Sequence, residues 1–448
     1  MDNNLLEIKS LNGNVYVYNY KYNLIQPKIL YDNEKVEIMA KEYIATMQEI
    51  SAYDFIHRDI NEKYRLLCLV LTDDCNFRCK YCANSSMYKY SKGYSHKSMS
   101  YEIIDRALQF YYEKYIKNVE VDPNIRFTIV FYGGEPLLQF PKIEYVVNKV
   151  KNEFQIEHPI YSITTNGYLL NDSIISLFKE FKFDVNISMD GYEEIHDLNR
   201  RTTSGLKTFE QVLKNFRTLY HELGKEHVGI MTTFDCQVSP LKLYDFYKNN
   251  PDVDECLIRI SSVTDINTDY YDKVPKYGNY DEELISLYNL FHKNDQTTFI
   301  RKFFEDKFDI ITKKRTFQDY LYALCSPISA KLTVSTNGDI HICEKVNENY
   351  PIGNVYDGIN KEKAYEYYKN VVQIRNEKCS KCKLHNLCVP CFAQLSRDGK
   401  KFTLEEAQCR KYKEAYIRIL ELYCTFLDNM DWPSNFDLDC NKGLLDEL

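Results

Sequence analysis

Between residues 65 and 263, six short apolar runs alternate with segments whose apolar residues recur at helical spacing. The runs are RLLCLVLT (65–72), RFTIVFYGG (126–134), YSITTNG (161–167), FDVNISMDG (183–191), HVGIMTTF (227–234) and ECLIRISSV (255–263). Runs of this kind read as strands covered on both faces, and amphipathic helices between them imply parallel βαβ units. Helix starts are signalled at Ser100, at Pro141, and at Asn171 ahead of Ile174, Leu177, Phe178 and Phe181. Thr208 and Gln211 form a capping-box pattern ahead of Val212, Leu213, Phe216 and Leu219. Eight units would close a full barrel, so six predict an α/β fold with a partial (β/α)6 TIM-like barrel over residues 65–320.

The flanks differ from the repeating region. Residues 1–64 open with Val15 and Val17 alternating with Tyr16, Tyr18 and Tyr20, a period-2 pattern that predicts a strand or hairpin. An apolar helix-like stretch follows around Ile38 to Ile50, making a small α+β appendage. Residues 321–448 replace the units with short strands, tight turns and nine cysteines. Asn337-Gly338 between KLTVST and DIHIC predicts a hairpin. Thr403 with Glu406 predicts a capped terminal helix carrying Cys409.

The net charge of −8 removes the basic footprint of a general nucleic-acid binder. No apolar stretch approaches the length of a membrane span, and the N-terminus lacks the basic and apolar regions of a secretory signal. A cytoplasmic protein without membrane or nucleic-acid partners is expected. Fifteen cysteines in such a chain point to metal ligation or redox chemistry rather than to disulfides. Cys75, Cys79 and Cys82, spaced Cys-x3-Cys-x2-Cys, follow directly on the first strand of the repeating region. Three thiolates on one loop can hold three irons of a 4Fe–4S cube and leave the fourth open to a ligand. Zinc, the alternative, prefers four ligands in paired Cys-x2-Cys clips.

The stretch Cys75-Asn-Phe-Arg-Cys79-Lys-Tyr81-Cys82 resembles the cluster loop of the radical SAM superfamily, including the aromatic residue before the third cysteine. The resemblance implies that the open iron binds S-adenosylmethionine, whose reductive cleavage releases a 5′-deoxyadenosyl radical. Gly133-Gly134-Glu135-Pro136 resembles the segment that hydrogen-bonds the methionine amino group, with Glu135 a contributor. Asn166 in TTNG, Ser188 and Asp190 in ISMDG, and Arg200 in IHDLNR resemble family positions near the cofactor. Tyr81 is expected to touch the adenine through its backbone, leaving its side chain replaceable.

The tail reads Cys325, Gly338, Cys343, Cys379-x2-Cys382-x5-Cys388-x2-Cys391 and Cys409, which resembles the SPASM extension of radical SAM enzymes and its two auxiliary clusters. Three 4Fe–4S clusters are therefore implied. By resemblance Cys379, Cys382, Cys388 and Cys409 close the outer one, and Cys325, Cys343 and Cys391 remain for the inner one. Val389 and Pro390 are two residues before Cys391 where many members have three. The inner set is one thiolate short, and the missing ligand is left to a substrate thiolate, a water or one of Cys68, Cys236, Cys256, Cys424 and Cys440. Cys68, inside the first strand, is most simply core.

Across roughly residues 65–425 the chain is similar to maturases of ribosomally made, post-translationally modified peptides, and the tail resembles their thioether-forming subgroup. That implies a precursor peptide with a leader as partner, a flavodoxin or ferredoxin-type reductant, and residues 1–64 as a winged-helix-like module that takes the leader as an edge strand. The competing enzyme is an anaerobic sulfatase-maturating enzyme, which makes formylglycine. The competitor from another class is a non-catalytic iron–sulfur electron carrier, which needs neither a vacant iron nor a cofactor pocket. No general acid or base is singled out among the carboxylates.

Overall fold

The computed structural model describes residues 5–20, 23–32, 64–293, 295–312, 331–346, 349–379, 381–388, 390–397 and 401–428. The strand anticipated around Val15 is present. β1 (Leu5–Lys9), β2 (Val15–Asn19) and β3 (Leu24–Pro27) form an antiparallel sheet in that order. The helix anticipated at Ile38 to Ile50 lies outside the described residues. The small sheet docks on the far end of the chain. Asn12, Asn14 and Tyr16 all donate to the Asp428 carboxylate, and the Leu11 amide donates to Thr425 Oγ1. Ile8, Tyr18 and Ile25 carry its buried face into the main core.

All six parallel strands are found: β4 (Leu66–Val70), β5 (Thr128–Tyr132), β6 (Ile160–Thr165), β7 (Asp184–Ser188), β8 (Val228–Thr233) and β9 (Leu257–Ser261). They pair in sequence order with parallel register. Side chains alternate across the sheet. Leu67, Ile129, Phe131, Ile163, Val185, Ile187 and Ile230 are buried on the face covered by helices. The opposite, inward face of β5, β6 and β7 is only half-buried. The intervening helices are amphipathic and mostly capped as expected. Ser100 Oγ accepts from Ile103 N ahead of Tyr101–Val121, and Asn171 Oδ1 accepts from Ile174 N ahead of Asp172–Glu180. Pro141 lies in the first turn of Phe140–Lys149.

Two helix starts differ from expectation. Thr208 precedes Phe209–Leu223 but its side chain caps nothing, because its hydroxyl donates to Arg200 O. Asp197 does the capping instead, its Oδ1 accepting from Thr208 N and Phe209 N, and Gln211 turns to Asn215. Thr403 does not cap the terminal helix. It lies in β15 (Phe402–Thr403), paired with β14 (Ser396–Arg397), and the helix runs Glu406–Leu427 from an uncapped Glu405. In both cases a partner distant in sequence outcompetes the local signal.

The tail continues the central sheet. The Asn337-Gly338 hairpin joins β10 (Lys331–Val334) to β11 (Asp339–His341), with Gly338 at φ +88°. β12 (Pro351–Asn354) and β13 (Gly358–Ile359) follow, and β10 pairs in parallel with β4. The resulting ten-stranded sheet runs β13-β12-β11-β10-β4-β5-β6-β7-β8-β9, leaving β9 at one edge. Among the described residues no helix is long and apolar enough to cross a membrane.

Candidate functional site

The cysteine loop leaves the C-terminal end of β4 and is strapped down on two sides. On one side Gly134 N donates to Thr72 O at 2.8 Å and Glu135 N donates to Asp74 O at 2.9 Å. The two glycines are required by this approach. A Cβ on Gly133 would meet Thr72 O at 2.6 Å, and one on Gly134 would meet Asp74 O at 2.1 Å. On the other side Arg78 N donates to Arg201 O at 2.8 Å and Lys80 N to Asn199 O at 3.0 Å. Phe77 anchors the middle, buried edge-on against Tyr168. The Gly134 and Glu135 amides thus hold the loop.

Cys75, Cys79 and Cys82 lie close enough for each charge to oppose the others. Burial pushes the Cys75 thiol up to about 12, with the Glu135 carboxylate adding to it. Burial does the same to Cys79, up to about 12, against the opposing pull of Arg200. Thiols so placed stay protonated unless cations draw off the protons, as binding to iron does. Two donors already aim at the sulfurs: Phe77 N to Cys75 Sγ at 3.3 Å and Arg200 Nη1 to Cys79 Sγ at 3.9 Å. Among the described residues no three His, Cys, Asp or Glu side chains converge on a single-ion site. The donor set fits a multi-iron cluster better than one zinc.

Beside the loop, Glu135 is buried and its carboxylate accepts three bonds. They come from Leu137 N at 3.0 Å, Thr165 Oγ1 at 2.7 Å and Asn166 N at 2.8 Å. Burial still lifts its pKa to about 6. Asn166 continues the connection, its Nδ2 donating to Asn76 Oδ1 at 2.8 Å inside the cysteine loop. Glu135 and Asn166 thus meet, as the sequence placed them.

The Tyr81, Asp190 and Arg200 side chains also meet. Arg200 Nε pairs with Asp190 Oδ1 at 3.0 Å, with both side chains nearly out of solvent. The Tyr81 hydroxyl donates to Asp190 Oδ2, and the Arg200 guanidinium lies 5.4 Å from the centre of the Tyr81 ring. Burial holds the Tyr81 phenol well above its usual range. The Tyr81 side chain is thus one wall of this cluster. Asp190 is spent on holding Arg200, Tyr81 and Thr233 N, the last at 3.3 Å. Ser188 ends β7 on the inward face. Sequence reasoning missed His196 beneath them, which is fully buried; it accepts from Asp190 N at 3.4 Å and meets Thr208 Oγ1 at 3.1 Å. A histidine inside IHDLNR carries no motif of its own.

The tail cysteines divide into two places. Cys379, Cys382, Cys388 and Cys409 feel one another's charge, and burial lifts Cys388 to about 12. Cys343 lies elsewhere, beside the half-buried Lys331–Glu344 pair at 2.5 Å. Burial disfavours the Glu344 carboxylate, yet Lys331 outweighs it and holds the group below its ordinary range. Cys68 is fully buried, as expected, but within electrostatic reach of Cys343 and Glu344. Cys391 caps a short turn through Gln394. Cys325 and Cys440 lie outside the described residues.

The radical SAM superfamily matches residues 69–235, the span from β4 through the cysteine loop to the end of β8. The chain carries a radical SAM domain. Over 419 residues it is 25% identical to the radical SAM cyclopropyl synthase TigE of Paramaledivibacter caminithermalis, covering 87% of this chain and 84% of that one. It is also 25% identical over 370 residues to a cysteine-type anaerobic sulfatase-maturating enzyme of Clostridium perfringens, covering 78% of this chain and 95% of the relative. The solved structure of native anSMEcpe with bound AdoMet and Cp18Cys peptide shares the fold at a TM-score of 0.57 and 23% identity, covering 82% of this chain and 99% of that one. The cysteine loop, Glu135, Asn166 and the Asp190–Arg200 pair all fall inside the matched radical SAM span.

Proposed function

We propose that this radical SAM enzyme oxidatively modifies a ribosomally made precursor peptide, joining a cysteine sulfur to a carbon of another residue. The carrying observation is the position of Cys343. β10 pairs with β4, and Cys343 and Glu344 follow just past β11, where Glu344 pairs with Lys331 of β10, so they lie beside the sheet whose β4 end feeds the Cys75 loop. Tyr132, half-buried at the end of β5, feels both Cys82 of the first loop and Cys343 of the tail. A peptide lying over the sheet would thus have the radical-generating loop on one side and a thiolate-binding set on the other.

Cys75, Cys79 and Cys82 would hold the cluster that binds S-adenosylmethionine. Bound there and reduced, the cofactor supplies an organic radical strong enough to take a hydrogen atom from an unactivated carbon. Glu135, Asn166 and Ser188 border its place, and Arg200, steadied by Asp190 and Tyr81, presents the cationic group beside Cys79. The grouping of Cys379, Cys382, Cys388 and Cys409 supports an outer auxiliary cluster of SPASM type. Cys343, with Cys325 and Cys391, would make an inner one with a place for the substrate thiolate. Joining sulfur to carbon removes two hydrogens from the peptide, a two-electron oxidation that requires an acceptor. The radical takes one of them with its hydrogen atom, the thiol gives up a proton, and a flavodoxin or ferredoxin-type protein would exchange the remaining electron. The sheet of β1–β3 is the proposed leader-binding unit, supported by its place outside the six-strand region.

The sulfatase-maturating relative supports a second reading, conversion of a cysteine to formylglycine. One experiment separates them. Protein reconstituted with iron and sulfide is given S-adenosylmethionine, dithionite and the precursor encoded beside its gene. Thioether formation yields 5′-deoxyadenosine and a peptide lighter by two hydrogens whose cysteine no longer alkylates. An aldehyde-reactive product would overturn the thioether reading. Absence of 5′-deoxyadenosine would overturn catalysis itself, and the Cys75→Ala/Cys79→Ala/Cys82→Ala variant should show that absence.

A further inference from the structure

Arg259 is the only basic side chain at an inward position of the six strands β4–β9. Register fixes its place. Ser188 of β7 pairs with Met231 of β8, and Met231 pairs with Arg259 of β9, so the three form one row on one face. Adjacent strands lie about 4.8 Å apart, which puts Arg259 roughly 10 Å across the sheet from Ser188. The outer face of β9 packs on the helix Thr298–Thr312, with Ile258 buried. Leu257, Arg259 and Ser261 are exposed on the other face, because β9 is the edge of the sheet.

Beyond β9 the rim is closed by the segment that follows the cysteine loop. Lys89 N donates to Asn267 O at 2.9 Å, and Tyr88 bridges to Thr268. The inward face of β9 is thus a side wall of the space over the sheet, beneath a strap from the cluster loop. The protein has an acid surplus of 65 Asp and Glu over 57 Lys and Arg. Even so, among the described residues none of the acids pairs with Arg259, and it makes no hydrogen bond. Arg200 and Lys331, by contrast, each have an acid partner, Asp190 and Glu344. An unpaired guanidinium on an otherwise neutral wall is a carboxylate receptor, since its planar fork matches that group in a bidentate pair.

We propose that Arg259 is a specificity-determining residue that binds a side-chain carboxylate of the peptide substrate, placing an Asp or Glu next to the modified residue. This rests on the peptide-modifying function proposed above. S-adenosylmethionine also carries a carboxylate, but Arg200 already supplies a guanidinium beside Cys79. The peptide is therefore the favoured source.

The test uses the reconstituted full-length enzyme and two sets of synthetic dodecapeptides, each fused to the leader of the neighbouring precursor. Each peptide carries one cysteine. In one set the other positions are random with Asp and Glu allowed, and in the other Asn and Gln replace them. Modified peptide is read by mass spectrometry, and S-adenosylmethionine binding and peptide-free cleavage are measured separately. The wild type should favour the acidic set by about 10- to 100-fold, the worth of one charge-assisted contact. R259Q should lose that preference through KM, and R259K should keep part of it, while cofactor binding and peptide-free cleavage stay unchanged. Equal use of the two sets by the wild type overturns the assignment, as does an R259Q enzyme with weakened cofactor binding, which would give Arg259 to the cofactor carboxylate. If the wild type cleaves the cofactor but modifies neither these peptides nor the neighbouring precursor, the peptide-modifying function itself fails, and the role of Arg259 falls with it.

Discussion

Lowering the pH should loosen the Asp190–Arg200 corner through His196. This imidazole is fully buried, and its pKa is depressed from 6.5 to about 3, chiefly by burial and then by the neighbouring Arg200 charge. Its hydrogen bonds show which nitrogen carries the proton. Thr208 Oγ1 gives its own proton to Arg200 O, so His196 Nε2–H donates to Thr208, and Nδ1 accepts from Asp190 N–H. A second proton would sit on Nδ1, facing another donor and adding a charge near Arg200. The folded pKa lies below the unfolded one, so the contribution is fully present above pH 6.5 and is lost as pH falls toward 3. Between pH 7 and pH 5 the loss comes to about 2 kcal/mol. Urea unfolding of the full-length chain at pH 7, 6 and 5, compared with H196N, measures it. The variant should be less stable at pH 7 but lose about 2 kcal/mol less on acidification. Glu135 titrates in the same range with the opposite sign, its folded pKa being raised to about 6, and it cancels in the difference between the two proteins. Equal pH slopes for wild type and H196N would refute the buried neutral imidazole.

Gly134→Ala should misplace the cysteine loop, because its Cβ would lie 2.1 Å from Asp74 O with backbone on both sides. Iron content should drop by about one cluster in three, with loss of cofactor cleavage. Gly278→Ala, which meets nothing within 4 Å, should leave both unchanged. Arg200→Gln should destabilise the protein by about 3–5 kcal/mol, since it strands a buried Asp190 carboxylate. Adding Asp190→Asn should restore part of that loss, and a double-mutant cycle in denaturant that showed simple additivity would contradict a coupled pair.

Much of the site lay open in the primary structure because its chemistry is local. Cys75, Cys79 and Cys82 need only their mutual spacing and a preceding apolar run, and both are written in consecutive residues. The six parallel strands were equally legible, since the face that packs under the helices must be apolar, as Ile129 and Phe131 of TIVFY are. Ser100 and Asn171 capped as expected because each bonds a backbone amide three residues on. Thr208 did not, because Asp197, eleven residues earlier, reaches the same amides when the chain folds back. The tertiary structure alone decided that the two glycines of GGEP lie against Thr72 and Asp74, that Tyr81 meets Asp190 across 109 residues, and that His196 lies beneath them. It also decided that β10 joins β4, bringing Cys343, just past β11, beside the sheet that carries the first cysteine loop, and that Arg259 stands in one row with Ser188. The physical reason is the same in each case. Motif spacing and hydrophobic period are set by a few covalently neighbouring residues, whereas pairing between distant strands and the partners of buried polar groups depend on which surfaces meet when the whole sheet assembles.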